Sequence, residues 1–195
     1  GGNDIVVMKI IKSNREVVWV KHLGESLGVG TSRHEICDAI AVDESSVYCS
    51  GQTSGDLGEE GVGFSDAFII KLSSSDGSVD WIKHFGSTFL PSDSLANDGC
   101  FGLALDDDGV YCAGIASRDF GTGVHGGLGD AMVLKLSKIN GNVVWINQLG
   151  NQFEDIFGEG KSDANDYFGS ISIDDKGVVC SGNTSGGLGE TNAGE

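Results

Sequence analysis

One pattern occurs three times in this chain and limits its folding more than any composition figure does. Ser65 to Gly86 reads SDAFIIKLSSSDGSVDWIKHFG, Asn3 to Gly24 reads NDIVVMKIIKSNREVVWVKHLG, and Gly129 to Gly150 reads GDAMVLKLSKINGNVVWINQLG. Each is a short apolar stretch, a polar turn and a second apolar stretch ending in glycine, which predicts a β-hairpin. Self-similarity at a fixed period marks a repeat protein. Trp19 and Trp81 are 62 residues apart, and Trp81 and Trp145 are 64 apart. Asp4, Asp66 and Asp130 open the first strand, Lys9, Lys71 and Lys135 follow five residues on, and Gly24, Gly86 and Gly150 close the second.

A second hairpin follows in each unit: ICDAIAVDESSVYCSG (Ile36 to Gly51), GCFGLALDDDGVYCAG (Gly99 to Gly114) and YFGSISIDDKGVVCSG (Tyr167 to Gly182). Each unit therefore predicts four antiparallel strands, and the chain divides into repeats 1–60, 61–124 and 125–195. The loop from the closing glycine to Cys37, Cys100 and Phe168 runs 13, 14 and 18 residues, so the third copy carries an insertion. Loop length costs little entropy, and insertions collect there. No apolar period of 3.6 is sustained, so no substantial helix is expected beyond a turn near Phe153 to Phe157.

The second strand of the unit is apolar on both faces, with Val17, Trp19 and Leu23 on one and Val18 and Val20 on the other. That implies a sheet packed on both sides. Four-stranded sheets stacked face to face and repeated radially are β-propeller blades. The expected fold is all-β: three four-stranded antiparallel blades of about 62–68 residues, part of a larger propeller or array. Trp19, Trp81 and Trp145 are the expected wedges between blades. Burying a tryptophan covers about 150–250 Å², an upper bound of roughly 4–6 kcal/mol, against about 0–1 kcal/mol for a surface ion pair.

DAFIIKL, DGSVDWIKHFG and GLALDDDGVYCAG together resemble the SBBP β-propeller repeat, and the likeness covers all three units. The first unit departs at SNREVVW, which lacks the turn glycine, and the third at SISIDDKGVVCSG, where Val179 replaces tyrosine. The tryptophan hairpin is also similar to the quinoprotein propellers that bind pyrroloquinoline quinone. Those enzymes typically use adjacent cysteines and a calcium site; no two cysteines are adjacent here, which argues against that activity. The resemblance implies a fold, and a fold does not carry a function with it. Three blades do not close a propeller. The ends TSGGLGETNAGE and GGNDIVVMKI, joined, read like Thr53 to Leu72, which leads us to expect a longer array or a filament whose units join end to end.

The chain has 195 residues, 32 of them glycine, and a formal net charge of −17. Such acidity repels nucleic acid and anionic membranes, so neither is an expected partner. No apolar run reaches the roughly 18 residues of a membrane helix. The chain begins GGND, without an initiator Met or a signal peptide, which reads as a segment of something larger.

Cys37 and Cys49 are 12 residues apart, as are Cys100 and Cys112, at equivalent places on the second hairpin. Two readings stand: two disulfides formed in an oxidising compartment, with Cys180 a free or intermolecular thiol, or small buried apolar residues. The stretch Asp155, Glu159, Asp163, Asn165, Asp166 is either a solvated acidic loop or a Ca²⁺ site, and its spacing matches no full EF-hand. No cofactor is required by any motif, and Ca²⁺ is the one candidate ion. Gly24 to Gly28 matches G-x-S-x-G but lacks the helix a nucleophile elbow needs. Gly121 to Gly126 matches G-x-G-x-x-G but precedes a hairpin, where phosphate-binding logic fails. His22 and His84 hold equivalent positions, replaced by Gln148, which reads as a strand-surface role. Asn183-Thr184-Ser185 is an N-glycosylation sequon.

The expected function is a non-enzymatic extracellular or cell-surface structural or adhesive repeat protein, as a segment of a filament or surface appendage. Its partners would be itself or adjacent repeats of the same polypeptide, and glycans or other surface proteins. The alternatives are a propeller binding module for sugar or protein, or a fragment of a propeller enzyme whose active site lies elsewhere. Assembly form and full length discriminate among them.

Overall fold

A computed structural model describes residues 2–24, 33–58, 65–86, 97–120, 129–150, 165–185 and 188. Twelve strands account for the regular structure, and there is no helix among the described residues. In chain order they are β1 (Ile5–Ile10), β2 (Val17–Leu23), β3 (Glu35–Val42), β4 (Ser46–Thr53), β5 (Asp66–Ser73), β6 (Val79–Phe85), β7 (Gly99–Leu105), β8 (Gly109–Ala116), β9 (Asp130–Ser137), β10 (Val143–Leu149), β11 (Tyr167–Ile173) and β12 (Val178–Asn183). Every pairing between them is antiparallel.

The sheets are not the sequence units. The expected three four-stranded blades are replaced by two four-stranded sheets, β3-β4-β5-β6 and β7-β8-β9-β10, and two two-stranded ones, β1-β2 and β11-β12. The hydrogen-bonded ladder joins the second hairpin of one repeat to the first hairpin of the next. Each complete sheet is therefore offset by half a repeat from the divisions 1–60, 61–124 and 125–195. The physical reason lies in β4 and β8: the edge of each that β3 or β7 leaves free runs in unbroken register along β5 or β9, from Ser46 opposite Ser73 to Thr53 opposite Asp66, and from Gly109 opposite Ser137 to Ala116 opposite Asp130.

Local chemistry explains the hairpins. Asp43, Asp106 and Asp174 each follow the first strand of a hairpin (β3, β7 and β11), and each turns its Oδ1 back to accept the N–H groups two and three residues on. That Asx turn makes the reversal without outside help. In the outer hairpins Gly77 and Gly141 sit at φ +72° and +70°, a region costly for other residues. Arg15 holds the equivalent place in the first hairpin at φ 65°. The opening aspartate and closing glycine of each repeat also belong together. The Asp4, Asp66 and Asp130 carboxylates occupy the space a side chain on Gly24, Gly86 or Gly150 would need.

Two apolar layers lie between successive sheets. The first joins Ile5, Val7, Trp19 and Leu23 of β1-β2 to Val47, Cys49, Phe68, Ile70 and Leu72 of the next sheet. The second joins Tyr48, Ala67 and Ile69, with Trp81 and Phe85 partly buried, to Cys100, Val110, Cys112, Met132, Leu134 and Leu136. Strand β5 is thus buried on both faces. Strand β2 is not: Trp19 and Leu23 are buried, while Val18 and Val20 face outward and are exposed, because no described sheet lies on that side.

Candidate functional site

The junction between sheets is built twice from the same contacts among the described residues. Lys9 Nζ donates to the Ser74 carbonyl at 2.6 Å, and Trp19 Nε1 donates to the same oxygen at 3.2 Å. One sheet on, Lys71 Nζ and Trp81 Nε1 both donate to the Lys138 carbonyl, at 3.1 and 3.3 Å. A lysine and a tryptophan from one sheet therefore hold one turn carbonyl of the next, twice, with the same residue types. Lys138 adds its own ammonium to Asp43 at 3.0 Å, so this turn also ties back to the β3–β4 turn. The turn glycine sits close against the indole. A Cβ on Gly77 would come within 2.8 Å of Trp19 Cε3, and one on Gly141 within 3.0 Å of Trp81 Cε3.

Trp145 differs from its two counterparts. It meets Tyr111 edge-on at 5.9 Å between centroids, yet stays 37% exposed, where Trp19 is 9%. It is not a wedge between two described sheets, because no described turn follows to cover it.

Tyr111, Asp106, Asp108 and Lys135 form a polar cluster beside it. Lys135 Nζ lies 3.1 Å from Asp106 and 3.0 Å from Asp108, and the Tyr111 hydroxyl donates to Asp106. Burial alone would raise the Asp106 carboxyl. Hydrogen bonds from Tyr111, Lys135 and the Gly109 and Asp108 N–H groups outweigh it and hold the group well below the usual carboxylate range. Contacts with Tyr111, Asp108 and Asp106 push Lys135 up. Asp43 is likewise lowered: burial opposes, and hydrogen bonds from Lys138, Ser45 and Ser46 prevail. Burial pushes Tyr48 up to about 12, so it stays neutral.

Cys37 is bonded to Cys49 and Cys100 to Cys112, with Cα separations of 6.0 and 5.7 Å. Both bonds link the first two strands of a complete sheet, β3 to β4 and β7 to β8, next to a bulge after Cys37 and after Cys100. Cys180 holds the equivalent position on β12 and is unbonded, and burial raises its thiol. Of the acidic stretch, Asp155, Glu159 and Asp163 lie outside the described residues, as do Phe153 to Phe157, residues 25–28 of the G-x-S-x-G match and all of 121–126. Asn165 and Asp166 are described; Asp166 is fully buried, and neither of its carboxylate oxygens has a hydrogen-bond partner among the described residues. No group of three His, Cys, Asp or Glu positioned to hold a metal occurs among the described residues. Asn183 is exposed, and its Nδ2, the atom a glycan would take, donates to the Tyr167 hydroxyl at 2.6 Å.

The repeat position shared by His22, His84 and Gln148 is not a plain strand surface. Gln148 is buried, donates to the Asp130 carboxylate and the Arg118 carbonyl at 2.8 Å each, and accepts the Phe120 N–H. It anchors the chain leaving β8 to the start of β9. Only the recurrence of a polar residue three places after the tryptophan pointed to it; the equivalent His22 is exposed.

The chain matches no known family model and no curated protein. Among the described residues no helix is long and apolar enough to cross a membrane.

Proposed function

We propose that this is a non-enzymatic structural or adhesive repeat protein working outside the cell, a segment of a filament or surface appendage built from propeller-type sheets. One observation carries the reading: the sheet-to-sheet junction, in which lysine and tryptophan hold a single carbonyl of the next turn, is made twice by the same residue types. Chemistry invested in joining one unit to the next is what a polymer of units needs. Two disulfides within the sheets suit an oxidising, extracellular setting. The likeness of DAFIIKL and GLALDDDGVYCAG to the SBBP repeat supports the propeller form of the sheets. Asn183 is the position for a glycan, and Ca²⁺ at Asp155, Glu159, Asp163 and Asp166 belongs to the same extracellular reading.

Electron microscopy of the native material tests this. Continuous filaments whose axial repeat contains this unit are the expected result. Discrete closed discs would overturn the filament and turn attention to what a central channel binds.

A further inference from the structure

We propose that the Asn140-Gly141 turn is a site of spontaneous covalent modification: Asn140 loses its side-chain amide and becomes aspartate or isoaspartate, and the docking of this turn on Trp81 sets the rate. The proposal goes beyond the structural-repeat reading and does not depend on it.

The comparison of three equivalent turns carries it. Asn14, Asp76 and Asn140 hold the same place in the outer hairpins, and Arg15, Gly77 and Gly141 follow them. In each turn the side-chain Oδ1 accepts the N–H two residues on, at 3.1, 3.0 and 3.0 Å. In each, the N–H of the following residue donates to the carbonyl of Ile11, Ser73 or Ser137, at 2.8, 3.0 and 2.9 Å. Asn140 alone meets both chemical requirements. It carries a displaceable amide, which Asp76 lacks, and it is followed by glycine, which Asn14 is not. It stands in the one Asn-Gly step of the sequence. A glycine nitrogen has no neighbouring side chain to hinder its attack. Asn140 is exposed to water, and the Asn142 N–H on its Oδ1 draws electron density from Cγ.

The step balances with water as the co-reactant. The Gly141 nitrogen gives its proton to a solvent base and attacks Asn140 Cγ. The new C–N bond closes a succinimide ring, and Nδ2 leaves as ammonia. Water then opens the ring at one of its two carbonyls. Opening at the former side-chain carbonyl gives aspartate. Opening at the main-chain carbonyl gives isoaspartate, in which the backbone runs through the side chain. Nothing is oxidised or reduced.

The junction restrains this chemistry. The Gly141 proton is committed to Ser137. Gly141 is buried, and a Cβ there would lie 2.7 Å from Lys83 Cγ and 3.0 Å from Trp81 Cε3. The Lys138 carbonyl of the same turn is held by Lys71 Nζ and Trp81 Nε1. Attack requires the Ser137 bond to break and the turn to lift off the indole, so the reaction runs through local opening of the junction. The two products then differ. Aspartate at this place is what the second repeat already has in Asp76, with the same turn bonds. Isoaspartate adds a methylene to the main chain just before Gly141. It shifts the glycine against Trp81 and the Lys138 carbonyl against Lys71, and so hinders the turn from docking again.

The test holds the full chain in mildly alkaline buffer made with heavy-oxygen water and follows peptide masses over time. Heavy oxygen should enter at Asn140 well before Asn14, and hydroxylamine should cut the aged chain between residues 140 and 141. Trp81→Phe keeps a ring and removes the Nε1 donor, and should speed the loss at Asn140 roughly tenfold while leaving Asn14 unchanged. Lys71→Met removes the other donor to the Lys138 carbonyl and should act in the same direction. The Asn140→Asp variant should melt with the unmodified chain, and the separated isoaspartate form below both. Loss at Asn14 as fast as at Asn140 would overturn the site. A rate at Asn140 equal to that of the denatured chain and unmoved by both variants would overturn the control by the junction, as would an isoaspartate form as stable as Asn140→Asp.

Discussion

Trp19 and Trp145 occupy the same repeat position in different surroundings, and their substitutions should separate. Trp19→Ala removes a nearly buried indole and its hydrogen bond to Ser74, an expected loss of about 3–5 kcal/mol. Trp145→Ala, from a half-covered ring, should cost about 1–2 kcal/mol in the single chain. Denaturant titration of the two variants checks the ordering; equal losses would mean that both rings are equally packed. Gly77→Ala places a Cβ against Trp19 and a side chain at positive φ, and should cost about 1–2 kcal/mol from the backbone alone. The titratable groups set a pH window. Asp43 and Asp106 have depressed carboxyls, so their contribution is present at neutral pH and is lost as pH falls below about 4 toward their folded values. Lys135 and Tyr48 are raised, so theirs is present below about pH 10 and is lost as pH rises through the folded values. Melting temperature against pH should be flat between about 5 and 9 and fall on both sides. Neutralising Lys138, as Lys138→Met, should flatten part of the acid limb by removing the partner of Asp43.

At the level of the element, the hairpins were legible and the sheets were not. Each Asx turn, each glycine at positive φ and each alternating strand is written within about ten residues of chain. Which hairpin pairs with which is a long-range choice, made by β4 along β5 and β8 along β9. The role of Gln148 was hidden for the same reason: its partners Asp130 and Arg118 lie 18 and 30 residues away, and only the folded junction places them together. The lysine five residues after the opening aspartate was visible as a repeat, but its acceptor is a carbonyl 65 residues on. The disulfides belong to this scale. Each closes a loop of 12 residues within one hairpin, and Cys100→Ser with Cys112→Ser should lower stability by about 2–4 kcal/mol while leaving the strand content unchanged by circular dichroism. Loss of the strand signal would mean that the bond specifies the hairpin as well as stabilising it.

At the scale of the whole molecule, a net charge of −17 makes copies repel one another at neutral pH. Repulsion is weakest near the isoelectric point, about 4.3, so turbidity should peak there and fall as pH rises. The sequence by itself determined the all-β class, the repeat length and the turns, because strand alternation and turn chemistry act between near neighbours. It also marked the residues on which the junctions depend, since tryptophan, lysine, aspartate and glycine recur at fixed places. Only the tertiary structure decided where one sheet ends and the next begins and how deeply each tryptophan is buried. Those outcomes depend on hydrogen-bonded registers and apolar layers between segments some 50 to 95 residues apart, energies that no local window contains.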